Sequence, residues 1–228
     1  MTHVPAAAAA EPVPHSPTPA DPEAARRTPR WLPVAIVFAV ALLSILFRTP
    51  WPRQVIGDSD AGHQLAGALQ IARGGHPFAD FRSTYGPLTF YVSFVGQWLS
   101  GWRIGADLLI CTFAYAVTYV LLFICATWIS GNARVLPFAV TMLAIIQLPR
   151  FYKYYILFGP ACVLVSLLWY LAKPGIGRML LAAASIVVTG LYRPDMGAYA
   201  AVSGGIAVAL SQQTWPKRLI GLFQLGAP

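Results

Sequence analysis

Asp58, Asp60 and Asp80 stand in one polar stretch, residues 50–86, of a chain that is otherwise strongly apolar. Asp58 and Asp60, two residues apart, have the chemistry of an assisted general base. One carboxylate accepts a proton from a hydroxyl, while the other raises its pKa by like-charge repulsion or shares a divalent metal ion with it. No glutamate can substitute for them, because the only two, Glu11 and Glu23, lie near the N-terminus. Two cationic clusters complement the carboxylates, Arg150-Phe151-Tyr152-Lys153-Tyr154-Tyr155 and Leu191-Tyr192-Arg193-Pro194-Asp195-Met196. Arg grips phosphate through its planar fork, and tyrosines offer stacking faces to a sugar. Each group also has a plain structural reading. Asp60 caps a helix, the aromatic–cationic run anchors a membrane interface, and Arg193 pairs with Asp195 as a turn.

The elements that must position these residues are written in the hydropathy. Of 228 residues 57% are hydrophobic and only 11% charged, against roughly a quarter charged in soluble domains. With a mean hydropathy of +0.61, lipid must be the solvent for most of the chain. The formal charge of +8 does not point to nucleic acid, because the basic residues are spread singly between apolar runs. They retain the capacity to hold an anionic headgroup or phosphate. Cys111, Cys125 and Cys162 all fall inside apolar runs, with no metal-ligand spacing and an odd count that argues against a disulfide framework.

Residues 1–30 form an Ala/Pro-rich tail, expected to be disordered and ending in Arg26, Arg27 and Arg30. No small-x-small cleavage site follows Ile45, so the first apolar run reads as an uncleaved span with its N-terminus in the cytoplasm. Charge-free runs follow at 31–47, 83–102, 108–133, 135–149, 154–172, 179–192 and 196–216. They predict six or seven hydrophobic helices in an all-α polytopic bundle, of which 135–149 and 179–192 fall short of a full span. If all seven cross in alternation, seven basic residues lie inside and nine outside; if 135–149 dips in and returns, the split is eight and eight. The second arrangement puts Arg193 and Asp195 on the face of Asp58 and Asp60.

The loop 50–86 holds three Asp, three Arg and two His. At roughly 3 kcal/mol for each charge at the bilayer centre, it must lie outside the hydrocarbon, on the external face. Within it, residues 60–73 read as an amphipathic helix lying along the membrane surface, with Leu65, Ala68, Leu69 and Ala72 on its apolar face. Ser59 or Asp60 is the expected N-cap, and Gly74-Gly75 the stop. Pro87 suits the first turn of the next helix. His76 reads as a hydrogen-bonding loop residue, His63 has no partner at metal spacing, and Asp107 pairs most simply with Arg103 at the interface. Gly204-Gly205 reads as a close-packing pair.

These residues resemble a known family. Asp60-Ala61-Gly62-His63, a helix ending at Gly74, Gly75-His76-Pro77-Phe78-Ala79-Asp80-Phe81 and Tyr85-Gly86-Pro87-Leu88 resemble the first external loop of the polytopic GT-C glycosyltransferases. There the loop commonly reads Asp-Glu-Gly-Tyr, a helix, Gly-x-x-Pro-Tyr-x-Asp-Phe, then Tyr-Gly-Pro-Leu; Ala61 stands where Glu is frequent. The resemblance is specific over residues 31–103 and general beyond. It implies a bacterial inner-membrane enzyme moving a sugar from a polyprenyl-phosphate donor to an extracytoplasmic lipid, glycan or protein. The catalytic carboxylate maps onto Asp60, with Asp58 in support, and Asp80 organises the loop. Arg193, Arg150, Lys153, Tyr85 and His76 are the candidate phosphate- and substrate-binding residues, and Asp58 with Asp60 the possible ligands of a divalent metal. The family's enzymes are longer, so residues 31–228 are expected to be an N-terminal portion. Two alternatives keep the scaffold without this chemistry: an inactive or accessory membrane subunit, and a transporter or flippase of lipid-linked precursors.

Overall fold

The computed structural model describes residues 31–48, 59–103, 105–131, 134–147 and 153–211. The N-terminal tail, Asp58 and Arg150 lie outside this range, and Ser59, Asp60 and Ala61 are described in backbone only. Eight helices and no strand occur among the described residues. They are α1 (Trp31–Arg48), α2 (Ser59–Ala72), α3 (Pro87–Leu99), α4 (Gly105–Ile129), α5 (Val135–Ile146), α6 (Tyr155–Ala172), α7 (Ile176–Tyr192) and α8 (Pro194–Ser211). Each charge-free run became one helix, and α2 is the helix of the polar loop. α1, α4 and α6 are long and apolar enough to cross a membrane, and α5 and α7 are shorter apolar helices.

The surface is that of a protein solvated by lipid. Phe113, Leu143, Val135 and Leu210 are exposed, while Gln97, Thr89, Thr112 and Ser166 are buried. A soluble domain of this size would invert that distribution. Several buried hydroxyls are satisfied locally: Thr112 bonds the Leu108 carbonyl and Thr118 that of Ala114, each at 2.7 Å. Thr141 and Thr189 do the same one turn back, to Pro137 and Ser185. This back-bonding lets a polar side chain sit in an apolar helix without an orphaned donor.

Contacts fix the helix directions. Pro33 and Val34 of α1 line one cavity with Phe123 and Trp128 of α4, so these helices are antiparallel. Leu32 and Ile36 meet Val135 and Phe138, while Arg48 donates to the Ile146 carbonyl at 2.8 Å, so α5 runs in the direction of α1. α3 folds back along the first turns of α4, with Gly96 against Ile110 and Gln97 bonded to Asp107 at 2.8 Å. α6, α7 and α8 form an antiparallel triplet around Val163, Leu167, Ala182 and Val208. At the α6–α7 crossing Gly159 packs on Thr189, and at the α7–α8 turn Gly190 faces Gly197.

Two sequence expectations change here. The described part of 135–149 does not dip and return: α5 runs from the α1-start end to the α1-finish end, and α3 is the helix that turns back. α3, 13 residues and about 20 Å long, has both ends at the α1-finish end, Gly86 on the Tyr192 carbonyl and Gln97 on Asp107. Asp107 bonds Gln97 of α3 rather than pairing with Arg103, because the α3–α4 hairpin places an amide donor beside it.

The glycine crossings make a sharp expectation. A Cβ on Gly197 would lie 2.4 Å from the Gly190 Cα, a backbone atom that cannot yield alone. Gly197→Ala is therefore expected to destabilise the chain by about 1–3 kcal/mol, whereas Gly177→Ala, with nothing within 4 Å, should leave stability unchanged or slightly raised. Thermal unfolding of both variants in one detergent checks the pair.

Candidate functional site

The described part of the polar loop starts with α2, whose first turn carries Asp60. The helix stops where two glycines allow it to. Gly74 takes φ +87° and donates to the Ile71 carbonyl, and Gly75 donates to that of Gln70, each at 2.9 Å. This is the Schellman closure, which satisfies orphan carbonyls and needs a residue tolerant of positive φ. The packed face overlaps only in part with the apolar face read in the sequence. Gln64, Gly67 and Ala68 are buried, whereas Leu69 is 40% exposed. The reason is Phe90 of α3: its ring occupies the space a Cβ on Gly67 would need, at 2.2 Å, so α2 rolls its glycine toward α3.

Residues 76–81 then fold on themselves. The Asp80 carboxylate accepts the His76 amide at 2.7 Å, the Asp80 amide returns to the His76 carbonyl at 2.9 Å, and Phe78 donates to the Phe81 carbonyl at 2.8 Å. Phe78 sits at φ +70°, a left-handed conformation these bonds must hold in place. Asp80 thus clamps the loop backbone, and His76 contributes its amide to that clamp while remaining exposed.

Beyond the loop, Gly86 donates to the Tyr192 carbonyl at 2.8 Å, and Thr89 Oγ1 donates to the same oxygen at 3.2 Å. A Cβ on Gly86 would fall 2.1 Å from the Leu191 carbonyl oxygen, so only glycine permits this approach. The junction brings the loop onto the α7–α8 corner, over a connected set of rings. Phe81 meets Phe90, Phe90 meets His63, His63 meets Tyr85, Tyr85 meets Tyr155, and Tyr155 stacks on Tyr192 at 6.0 Å and 9°. His63 Nε2 also lies 3.1 Å from Ser83 Oγ, and the same hydroxyl takes the Tyr85 amide at 2.9 Å. Tyr154 packs edge-on against both Tyr155 and Tyr192, and burial pushes its phenol well above the ordinary tyrosine range.

At the rim of these rings is the corner pair. Arg193 Nε and Nη2 reach Asp195 Oδ1 and Oδ2 at 2.9 and 2.5 Å, a bidentate fork. The hydrogen bond to Asp195 raises the Arg193 pKa, and the Asp195 carboxyl is held below its usual range by the same bond. A carboxylate with a lowered pKa contributes above its unfolded value and loses that contribution only as pH falls through the folded one. The pair therefore stays ionised at neutral pH. Two of the five Arg193 N–H donors are committed to Asp195.

Of the residues marked by sequence, Tyr85, Arg193 and the Asp80–His76 clamp gather at one end of the bundle, with Lys153 immediately before Tyr154. Asp60 reaches this end on the first turn of α2. Asp58 and Arg150 fall outside the described residues, and among the described residues no group of three or more metal-ligating side chains occurs. His63 was passed over for lack of a metal partner, yet it links α2 to Tyr85. The only sequence signal for that role is its position three residues after Asp60. Tyr192 was legible only as a neighbour of Arg193.

No protein-family model matches this chain, and neither curated proteins nor solved structures include a match to it.

The Asp80 clamp can be probed directly. Asp80→Asn weakens a charge-assisted acceptor, so the loop should open and the exposed Arg82–Ser83 bond become trypsin-sensitive, with helix content unchanged by circular dichroism. Wild-type cleavage rates at Arg82 would assign Asp80 no organising role.

Proposed function

We propose that this chain is an integral membrane glycosyltransferase of the GT-C type, moving a sugar from a polyprenyl-phosphate donor to an extracytoplasmic lipid, glycan or protein acceptor. In this reading α1, α4, α5, α6, α7 and α8 cross a bacterial inner membrane, with the N-terminus cytoplasmic and α2 and α3 on the external face. What carries the reading is the Gly86–Tyr192 hydrogen bond. It draws the loop bearing Asp60 toward the corner bearing Arg193, which supports reading Asp60 as the base and Arg193 as the cation for a donor phosphate. The motif run from Asp60 through Leu88 supplies the resemblance.

The reaction is an inverting displacement. Asp60, supported by Asp58, takes the proton of the acceptor hydroxyl as its oxygen attacks the anomeric carbon. The bond from that carbon to the phosphate oxygen breaks, and the polyprenyl phosphate leaves with the electron pair. Arg193, with Arg150 and Lys153, stabilises the charge gathering on the leaving phosphate. Tyr85, half-buried above the buried ring of Tyr155, offers an aromatic face to the sugar. A divalent metal on Asp58 and Asp60 would supply further stabilisation of that leaving phosphate.

A second reading is favoured by one observation. The bidentate Arg193–Asp195 fork is self-sufficient as a helix-corner brace, which suits an accessory subunit that keeps the scaffold without the chemistry. Asp60→Asn separates the two. The enzyme should lose transfer from a polyprenyl-phosphate sugar by about 10²–10⁴-fold with its thermal unfolding unchanged. Full transfer activity in that variant would remove Asp60 from the catalytic role, and no transfer by the wild type with any tested donor would favour the accessory reading.

A further inference from the structure

At the opposite end of the bundle, two adjoining cavities of about 400 Å³ each open between α1, α4 and α5. They share Pro33, Phe123 and Arg134, so they form one groove. One half is walled by Leu32, Ile36, Val135 and Phe138, and the other holds Thr127 and Trp128 beside Arg134. An apolar trough with a cation at its head matches a ligand with a hydrocarbon chain and an anionic group.

Arg134 is uncommitted within the protein. Its backbone carbonyl closes the first turn of α5 by accepting the Phe138 amide at 3.0 Å, but its guanidinium has no hydrogen bond or ion pair among the described residues. The acidic side chains described elsewhere are engaged: Asp80 with His76, Asp107 with Gln97, and Asp195 with Arg193. The groove end is also where the chain begins α1, immediately after Arg26, Arg27 and Arg30 in sequence. Among the described residues no carboxylate lies at this end to answer Arg134. Trp128, 41% exposed beside Arg134, has the amphipathic ring that favours the headgroup level.

We propose that this groove is a binding site for one anionic phospholipid, its phosphate on Arg134 and an acyl chain along Leu32, Ile36 and Phe138. The site lies at the far end from the loop and does not depend on the glycosyltransferase reading. A free phosphate would leave the apolar wall unused, so the occupant is a lipid.

Trp128 reports on the site. The full chain is reconstituted in nanodiscs of neutral lipid, and brominated phosphatidylglycerol or brominated phosphatidylcholine is titrated while tryptophan fluorescence is followed. The component lost in Trp128→Phe is the signal. Phosphatidylglycerol is expected to quench it with about fivefold tighter apparent affinity than phosphatidylcholine. Arg134→Gln should abolish that preference, Arg134→Lys should keep part of it, and Arg103→Gln, at the α3–α4 turn, should leave it intact. Equal quenching by both lipids, or a preference that survives Arg134→Gln in protein with wild-type circular dichroism, overturns the site. Displacement of brominated phosphatidylglycerol by inorganic phosphate alone would reassign the cation to a free anion and overturn the lipid.

Discussion

Gly86 donates its amide to the Tyr192 carbonyl at 2.8 Å, at an approach so close that any side chain on residue 86 would strike the Leu191 carbonyl oxygen. Two segments separated by more than a hundred residues meet there through backbone alone. The bond comes where α7 ends and leaves its last carbonyls without helical partners. Gly86 answers one of them, Thr89 reinforces it, and Pro87, which has no amide to satisfy, starts α3 immediately afterwards. Everything else at this end follows from the contact. Tyr85 is carried onto Tyr155, Tyr155 onto Tyr192, and Arg193 is brought beside the loop.

The bundle behind this junction obeys the rules of an apolar solvent. Hydrophobic burial cannot drive one helix against another when the surroundings are equally apolar, so close packing and local hydrogen bonding do that work. The glycine contacts at Gly159, Gly190 and Gly197 let backbones approach where larger residues would hold them apart. Threonines at 112, 118, 141 and 189 return their hydroxyls to the preceding turn rather than to another helix. Both devices keep polar groups away from lipid. They also leave helix faces rich in exposed Phe, Leu and Val.

The two ends of the molecule differ in how they treat charge. At the loop end, Arg193 is matched by Asp195, and the Asp80 carboxylate is spent on a backbone amide. Charge there is organised into exposed pairs at the rim of the rings. At the other end Arg134 borders an apolar groove without a described carboxylate beside it. A chain with sixteen basic and eight acidic residues cannot pair every cation internally. Where the surplus falls decides which surfaces can attract anions.

Much of the local structure was legible in the amino-acid order. Seven apolar runs became seven helices, because a backbone in lipid has no other way to satisfy its hydrogen bonds. Gly74-Gly75 stopped α2 and Pro87 opened α3, since both effects depend only on the φ each residue permits. The face of α2 was legible only in part: hydropathy picked out Ala68, which is buried, but not Gly67 and Gln64, which the Phe90 ring draws to the packed side. Charge counting could not identify α3 as the helix that turns back. That depends on Gln97 and Asp107 meeting across a hairpin, and on where α1, α4 and α5 touch. Helix identity is thus set by short-range chemistry, which a sequence states directly. Helix direction, and the meeting of Gly86 with Tyr192, come from long-range packing that only the tertiary structure decides.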